Sequence, residues 1–224
     1  RSRGLGDVYK RQDASLLPMI IRKVDNQFYS DEWAELCVNL YYNGFLKHEY
    51  GYFPQCMSRY FFRNPDKLLE KIRGDDALYF EFQWHYRLPS EAFFDIGQLL
   101  HWTDVMINAS DSDADKVTLV GSILGKAPDG DDGIFPIETV RKLLKIKKNE
   151  ELTTAVARGK INSLGLRDVE DGKKEREKSD IYKMQARAME IDYPQTSVIL
   201  RILANFYERE SKRDQISSEI EPLQ

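Results

Sequence analysis

Three carboxylates, Asp129, Asp131 and Asp132, fall within the run Pro128-Asp-Gly-Asp-Asp-Gly-Ile-Phe-Pro136. Oxygen ligands this close together can gather a hard cation. With a histidine, such a cluster could support metal-dependent or hydrolytic chemistry. The spacing departs from a calcium-binding EF-hand loop, because Gly133 stands where the third carboxylate belongs. The competing reading is a turn, in which Gly130 and Gly133 supply permissive backbone and Ile134-Phe135 anchor the segment to a core. We expect the turn, with no bound metal or cofactor. If the chain carries a functional loop, it is this one, since flanking aromatics would hold its carboxylates rigidly.

Asp111, Asp113 and Asp115 repeat the start of a calcium loop, but Lys116 and Ser122 occupy the places of its glycine and its last acidic ligand. An acidic helix start, favoured by the helix dipole, explains them better. His48, His85 and His101 are the only histidines, and no two share the spacing of a zinc-binding helix. The chain has no Gly-x-x-x-x-Gly-Lys-Ser/Thr phosphate loop and no Gly-x-Ser-x-Gly nucleophile turn. No catalytic residue is assigned, and the reading leans away from an enzyme.

Arg141, Lys142, Lys145, Lys147 and Lys148 make a short basic stretch that could touch phosphate. Glu150 and Glu151 follow at once, which favours a solvated charged face. Between residues 173 and 178, Glu175 and Glu177 alternate with cations, a pattern of intrahelical ion pairs. The whole chain has 33 basic and 37 acidic residues. Residues 1–12 read as a sequencing-library adapter translated in one frame, so they are set aside. Removing their four cations (Arg1, Arg3, Lys10, Arg11) and Asp7 leaves 29 against 36. That acidic balance argues against a nucleic-acid partner.

The elements that must position these groups are helical. Ser30 with Asp31 and Glu32 starts one helix, and Trp33, Leu36, Cys37, Leu40 and Tyr41 then recur at helical spacing. Pro54 opens a second, and Asn64-Pro65 is an Asn cap with Pro at the first helical position of a third. Phe80, Phe82 and Trp84 alternate as in a strand, yet a lone strand has no partner for its backbone, so a helix ending before Pro89 is expected. Further helices are predicted over 93–107, 116–124, 137–146, 150–161, up to about 191, and from Pro194, where Ile199, Ile202, Leu203 and Phe206 form an apolar stripe. The result is an all-α, irregular array of short packed helices without a regular repeat. Its parts are an aromatic-rich subdomain over 13–127, the Asp/Gly loop over 128–136, a second helical subdomain over 137–210 and an exposed charged tail over 211–224. Cys37 and Cys56 read as packed free thiols of a reduced, cytoplasmic protein. No apolar run reaches the roughly 20 residues that span a bilayer.

From about Phe45 onward the chain resembles the C-terminal region of large bacterial proteins that have no established activity. The features that carry this are Asn64-Pro-Asp66, Trp84 with Arg87-Leu-Pro89, Trp102, the segment from Pro128 to Pro136 with Val140-Arg141, and Gly159-Lys-Ile-Asn162. Glu175-Arg176, Tyr182, Ala186, Pro194-Gln-Thr196, Leu200, Ala204, Tyr207-Glu208 and Asp214 continue the series. Leu164 stands where the family carries Arg before a glycine. The resemblance implies a bacterial, intracellular origin and a piece whose upstream portion is missing. The expected role is therefore a protein–protein or interdomain interaction module. Its partner would be that missing portion or another protein. The crowd of aromatics between Tyr41 and Phe62 could supply part of the contact surface.

Overall fold

A computed structural model describes residues 21, 23, 24, 30–42, 53–73, 76–108, 113–164 and 172–220. These residues form ten α-helices and a 3-10 turn, with no strand among them. The fold is all-α. Two compact units divide between Pro89 and Ser90. The sequence reading puts the internal boundary at the Asp/Gly loop instead, but that loop lies inside the second unit, tied to the helices around it.

The first unit contains α1 (Asp31–Tyr42), α2 (Gln55–Arg63), α3 (Pro65–Ile72) and α4 (Asp76–His85). The Ser30 hydroxyl accepts the Trp33 N–H at 3.1 Å, which caps α1 as its sequence predicts. Asn64 behaves differently from the expected cap. Its side-chain amide donates back to the Tyr60 carbonyl at 3.0 Å, and its backbone N–H reaches the same oxygen at 2.8 Å. With one residue between two helices, Asn64 closes α2, and Pro65 starts α3 without needing an N–H partner. The segment around Phe82 is the helix α4: Phe82 is fully buried, whereas Phe80 and Trp84 are each 56% exposed. A strand would have put all three on one face.

Aromatic edges hold this unit together. The Phe53 ring meets Tyr41, Phe82 and Tyr86 edge-on at centroid distances of 5.5, 5.6 and 5.8 Å, and Phe61 meets Phe82 at 5.3 Å. Such pairs add roughly 0.5–1.5 kcal/mol each beyond their burial. The fully buried Tyr86 hydroxyl donates to the Ser58 carbonyl at 3.1 Å, and burial pushes its pKa well above the ordinary phenol value. Cys37 and Cys56 are buried and not joined in a disulfide.

The second unit begins with a 3-10 turn (Ser90–Phe93) and continues with α5 (Ile96–Asn108), α6 (Asp113–Leu124), α7 (Glu138–Lys147), α8 (Glu150–Asn162), α9 (Lys173–Met189) and α10 (Pro194–Ile220). The single helix expected over 93–107 is broken at its start. Asp95 Oδ1 accepts the N–H groups of Gly97 and Gln98, so the α-helix begins only after it. Between α7 and α8, Lys148 takes a left-handed conformation (φ 50°) and Asn149 caps α8 by accepting the Leu152 N–H at 2.8 Å.

Helices α6 and α8 cross at backbone contact. A Cβ at Gly125 would lie 2.6 Å from the Gly159 carbonyl carbon, and one at Gly159 would lie 2.7 Å from Ser122 Cα. Only a residue without a side chain fits either place. Around this crossing Leu119, Val120, Leu124, Leu152 and Val156 are buried, with Leu143 and Leu144 from α7.

Helices α9 and α10 form an antiparallel hairpin packed along small residues. Three hydroxyls donate across it: Ser179 to the Ala204 carbonyl (3.0 Å), Ser197 to that of Ala186 (2.8 Å) and Ser211 to that of Gly172 (2.8 Å). The expected stripe on α10 is rotated: Ile199 and Leu203 are buried, but Ile202 and Phe206 are only half-buried, and Leu200, Ala204 and Tyr207 complete the covered face. The exposed tail expected from residue 211 is also displaced. Ser211 is 3% and Asp214 4% exposed, and α10 runs on to Ile220. No described helix is long and apolar enough to cross a membrane.

Candidate functional site

The Asp/Gly loop connects α6 to α7 and is bonded to three helices. Within it, Ile137 N–H donates to the Pro128 carbonyl (2.8 Å), Gly130 N–H to that of Ile134 (3.0 Å) and Gly133 N–H to that of Gly130 (2.8 Å). Asp132 Oδ1 accepts the Ile134 N–H at 3.1 Å, closing a tight side-chain turn. Phe135 is buried and anchors the segment, as its sequence predicts, while Ile134 is half-buried.

The outward bonds decide what the carboxylates can do. Arg141 on α7 donates to both Asp132 oxygens, at 2.8 and 2.9 Å. Its side chain is only 4% exposed, whereas that of Asp132 is 44% exposed. Paired donors in this fork geometry are among the stronger charged contacts. The Arg141 hydrogen bond is the largest influence on Asp132 and holds its carboxyl below the usual aspartate range. A Cβ at Gly130 would sit 2.6 Å from Arg141 Nη2, so the loop approaches the guanidinium through a missing side chain. Asp129 meets Lys160 on α8 at 3.3 Å, and the same ammonium stands 4.2 Å from the Phe135 ring centroid. Gln185 on α9 donates to the Gly133 carbonyl at 3.1 Å.

Of the three candidate ligands, then, Asp129 and Asp132 are each held by a cation, and Asp131 is exposed. A carboxylate bound through both oxygens to a guanidinium has little capacity left for a metal or for a substrate proton. No group of three or more His, Cys, Asp or Glu side chains that could hold a metal occurs among the described residues. His85 ends α4 and His101 lies on α5, both exposed, in different units. His48 and Asp111 lie outside the described residues, as do the side chains of Asp113 and Asp115.

The basic stretch separates in the same way. Arg141 is buried under the loop, and its guanidinium also stands 5.6 Å from the Tyr193 ring centroid. Lys142 pairs with Glu138 at 3.0 Å, Lys145 lies 5.4 Å from the Tyr193 ring centroid, and Lys147 pairs with Asp104. Lys148 forms the left-handed end of α7. A phosphate surface needs several cations converging on one side; four of these five have partners within the protein. The Tyr193 hydroxyl donates to Glu138 at 3.3 Å, and burial, then that carboxylate, raises its pKa. Burial, then Tyr207 and Asp129, pushes Tyr182 on α9 up to about 12.

One feature outside the sequence reading is an apolar line on α9. Ile181 and Met184 are 49% and 64% exposed, Ala188 is exposed as well, and Ile191, 91% exposed, follows in the turn after the helix ends at Met189. The spacing of three and four from Ile181 through Met184 to Ala188 follows one helical face. Ile181 and Ala188 come two positions after Ser179 and Ala186, roughly 200° around the helix from the α10 seam. The signal was present in the sequence, but the charges interleaved with it hid the period. No protein-family model, curated protein or solved structure matches the chain.

Proposed function

We propose that the chain is a helical interaction module whose contact surface is the outward line of α9. The observation that carries this is the exposure of Ile181, Met184 and Ala188 on the side of α9 turned away from α10, with Ile191 exposed in the turn just beyond the helix end. An apolar line at alternating spacings of three and four suits an amphipathic helix laid along it. The bond from Gln185 to the Gly133 carbonyl supports the reading, because it ties α9 to the Asp/Gly loop, which Arg141 and Lys160 hold to α7 and α8.

The partner is another protein, or another portion of a longer bacterial polypeptide to which this chain belongs. The resemblance of residues from Phe45 onward supports that setting. Buried cysteines without a disulfide, Cys37 and Cys56, suit a reducing, cytoplasmic compartment. The metal-dependent and nucleic-acid readings are weaker, since the loop carboxylates and most of the basic stretch already have internal partners.

The test is selection from a displayed library of random helical peptides against the full chain. Peptides with apolar residues at three- and four-residue spacing should be enriched, and should be lost on a chain carrying Ile181→Glu and Met184→Glu. Enrichment of no such peptides, or of peptides indifferent to the double substitution, would sink the reading.

A further inference from the structure

The charges along the apolar line of α9 have an order that selects its occupant. Glu177 stands one helical turn before Ile181, and Arg187 follows Met184 by three residues; both are exposed. Among the described residues, neither side chain has an ion-pair partner. Asp180 lies on the same flank as Arg187, seven residues before it. It approaches Lys183 at 3.9 Å, beyond hydrogen-bond range, whereas Glu208 holds that ammonium at 2.9 Å. Acid thus precedes the centre of the line, and base follows it.

Such an order is self-complementary in one direction only. A second α9 laid parallel would set Glu177 against Glu177 and Arg187 against Arg187. An antiparallel copy, related by a two-fold axis passing level with Tyr182 and Lys183, reverses this. Ile181 then meets Met184 of the second copy, and Glu177 comes level with its Ala188, about 1.5 Å along the axis from its Arg187. Asp180 and Arg187 face each other across one flank, offset by about 3 Å along the axis. The two-fold repeats each contact. Lys178 lies roughly 180° around the helix from Arg187, so it stays clear of that flank; its ammonium stands 5.2 Å from the Tyr207 ring centroid.

Resting on the α9 contact surface proposed above, we propose that its occupant is a second copy of this chain. The copies dock antiparallel through Ile181, Met184 and Ala188, and Arg187 of each closes on Glu177 and Asp180 of the other. A strip of three apolar side chains belongs at the low end of the interface scale, under about 1,200 Å². The dimer is therefore weak, with a Kd on the order of 100 µM.

The experiment is sedimentation equilibrium of the full 224-residue chain from about 10 to about 1,000 µM, a range that brackets this Kd. A reversible monomer–dimer equilibrium is expected. Arg187→Glu should weaken it at least about tenfold, because like charges then meet across the flank. Glu177→Arg should weaken it as well. An equimolar mixture of the two variants should restore dimers, since their charges complement each other; mixing rescues repulsion but not misfolding. A chain that stays monomeric at about 1,000 µM, well above the expected Kd, overturns the proposal. So does a dimer indifferent to Arg187→Glu, or one that mixing does not rescue. A monomer that still selects helical peptides through Ile181 and Met184 assigns the surface to a foreign helix and overturns the second copy alone. A monomer that selects none removes the surface as well.

Discussion

Ser197 donates its hydroxyl to the carbonyl of Ala186 at 2.8 Å, and the same relation recurs one heptad away on each helix, between Ser179 and Ala204. A third heptad pairs Ser211 with Gly172. Positions 172, 179 and 186 on one strand of the hairpin meet 211, 204 and 197 on the other, all of them Gly, Ser or Ala. Small residues at a period of seven let two antiparallel helices approach more closely than large core side chains would allow. Buried serine hydroxyls then find backbone acceptors that the closeness brings within reach.

Ala204→Leu should therefore destabilise the second unit by about 1–3 kcal/mol through overpacking. Ser197→Ala should cost less, about 1 kcal/mol, for one lost hydrogen bond. Urea denaturation followed by circular dichroism measures both; a neutral Ala204→Leu would contradict the close approach.

The Asp132–Arg141 pair should respond asymmetrically. Asp132→Asn leaves a guanidinium that is 4% exposed without its counter-charge, whereas Arg141→Met leaves a carboxylate 44% exposed that water can solvate. We expect about 2–3 kcal/mol for the first change and about 1 kcal/mol for the second, since an uncompensated buried charge is the costlier remainder. Equal losses in paired urea titrations would mean that the guanidinium reaches water.

Acid should weaken the second unit through the same pair. The folded-state pKa of Asp132 is depressed, so its contribution is complete above the ordinary aspartate range and disappears as pH falls through the lower folded value. Glu208, held by Lys183 and Lys212 and pushed down to about 2, acts in the same direction between its ordinary 4.5 and about 2. Urea midpoints at about pH 5 and about pH 3 should show a smaller acid loss in Asp132→Asn than in the parent chain. An unchanged loss would remove Asp132 from the account.

Gly159→Ala should destabilise although alanine is the better helix former by about 1 kcal/mol. The added methyl would stand 2.7 Å from Ser122 Cα and 2.8 Å from the Gly121 carbonyl oxygen, both backbone atoms. A net loss of about 2 kcal/mol or more is expected, on the scale of other overpacked cores. A rise in melting temperature would show that α6 and α8 can separate without cost.

Much of the architecture was legible in the sequence because helical signals are local. Ser30 capping α1, Pro65 opening α3, the ambiguous Phe82 segment resolving to a helix and the turn around Gly130 all follow from residues a few positions apart. The errors arise where two distant or overlapping demands meet. Asn64 serves the helix before it because α2 and α3 compete for one side chain, and Asp95 delays α5 by taking its first N–H groups. The candidate carboxylates were identified correctly as a turn, but their partners Arg141 and Lys160 come from separate helices and have no sequence signature. The α9 line was readable at spacings of three and four, yet only tertiary packing tells an outward face from a buried one.

The heptad register of the α9–α10 hairpin constrains how its length can vary in related chains. Deleting or inserting three or four residues in one arm would bring bulky side chains against the slots now held by Gly172, Ser179, Ala186, Ser197, Ala204 and Ser211. Matched changes of seven in both arms restore every slot. Natural indels in this hairpin should therefore come as whole heptads, gained or lost in the two arms together.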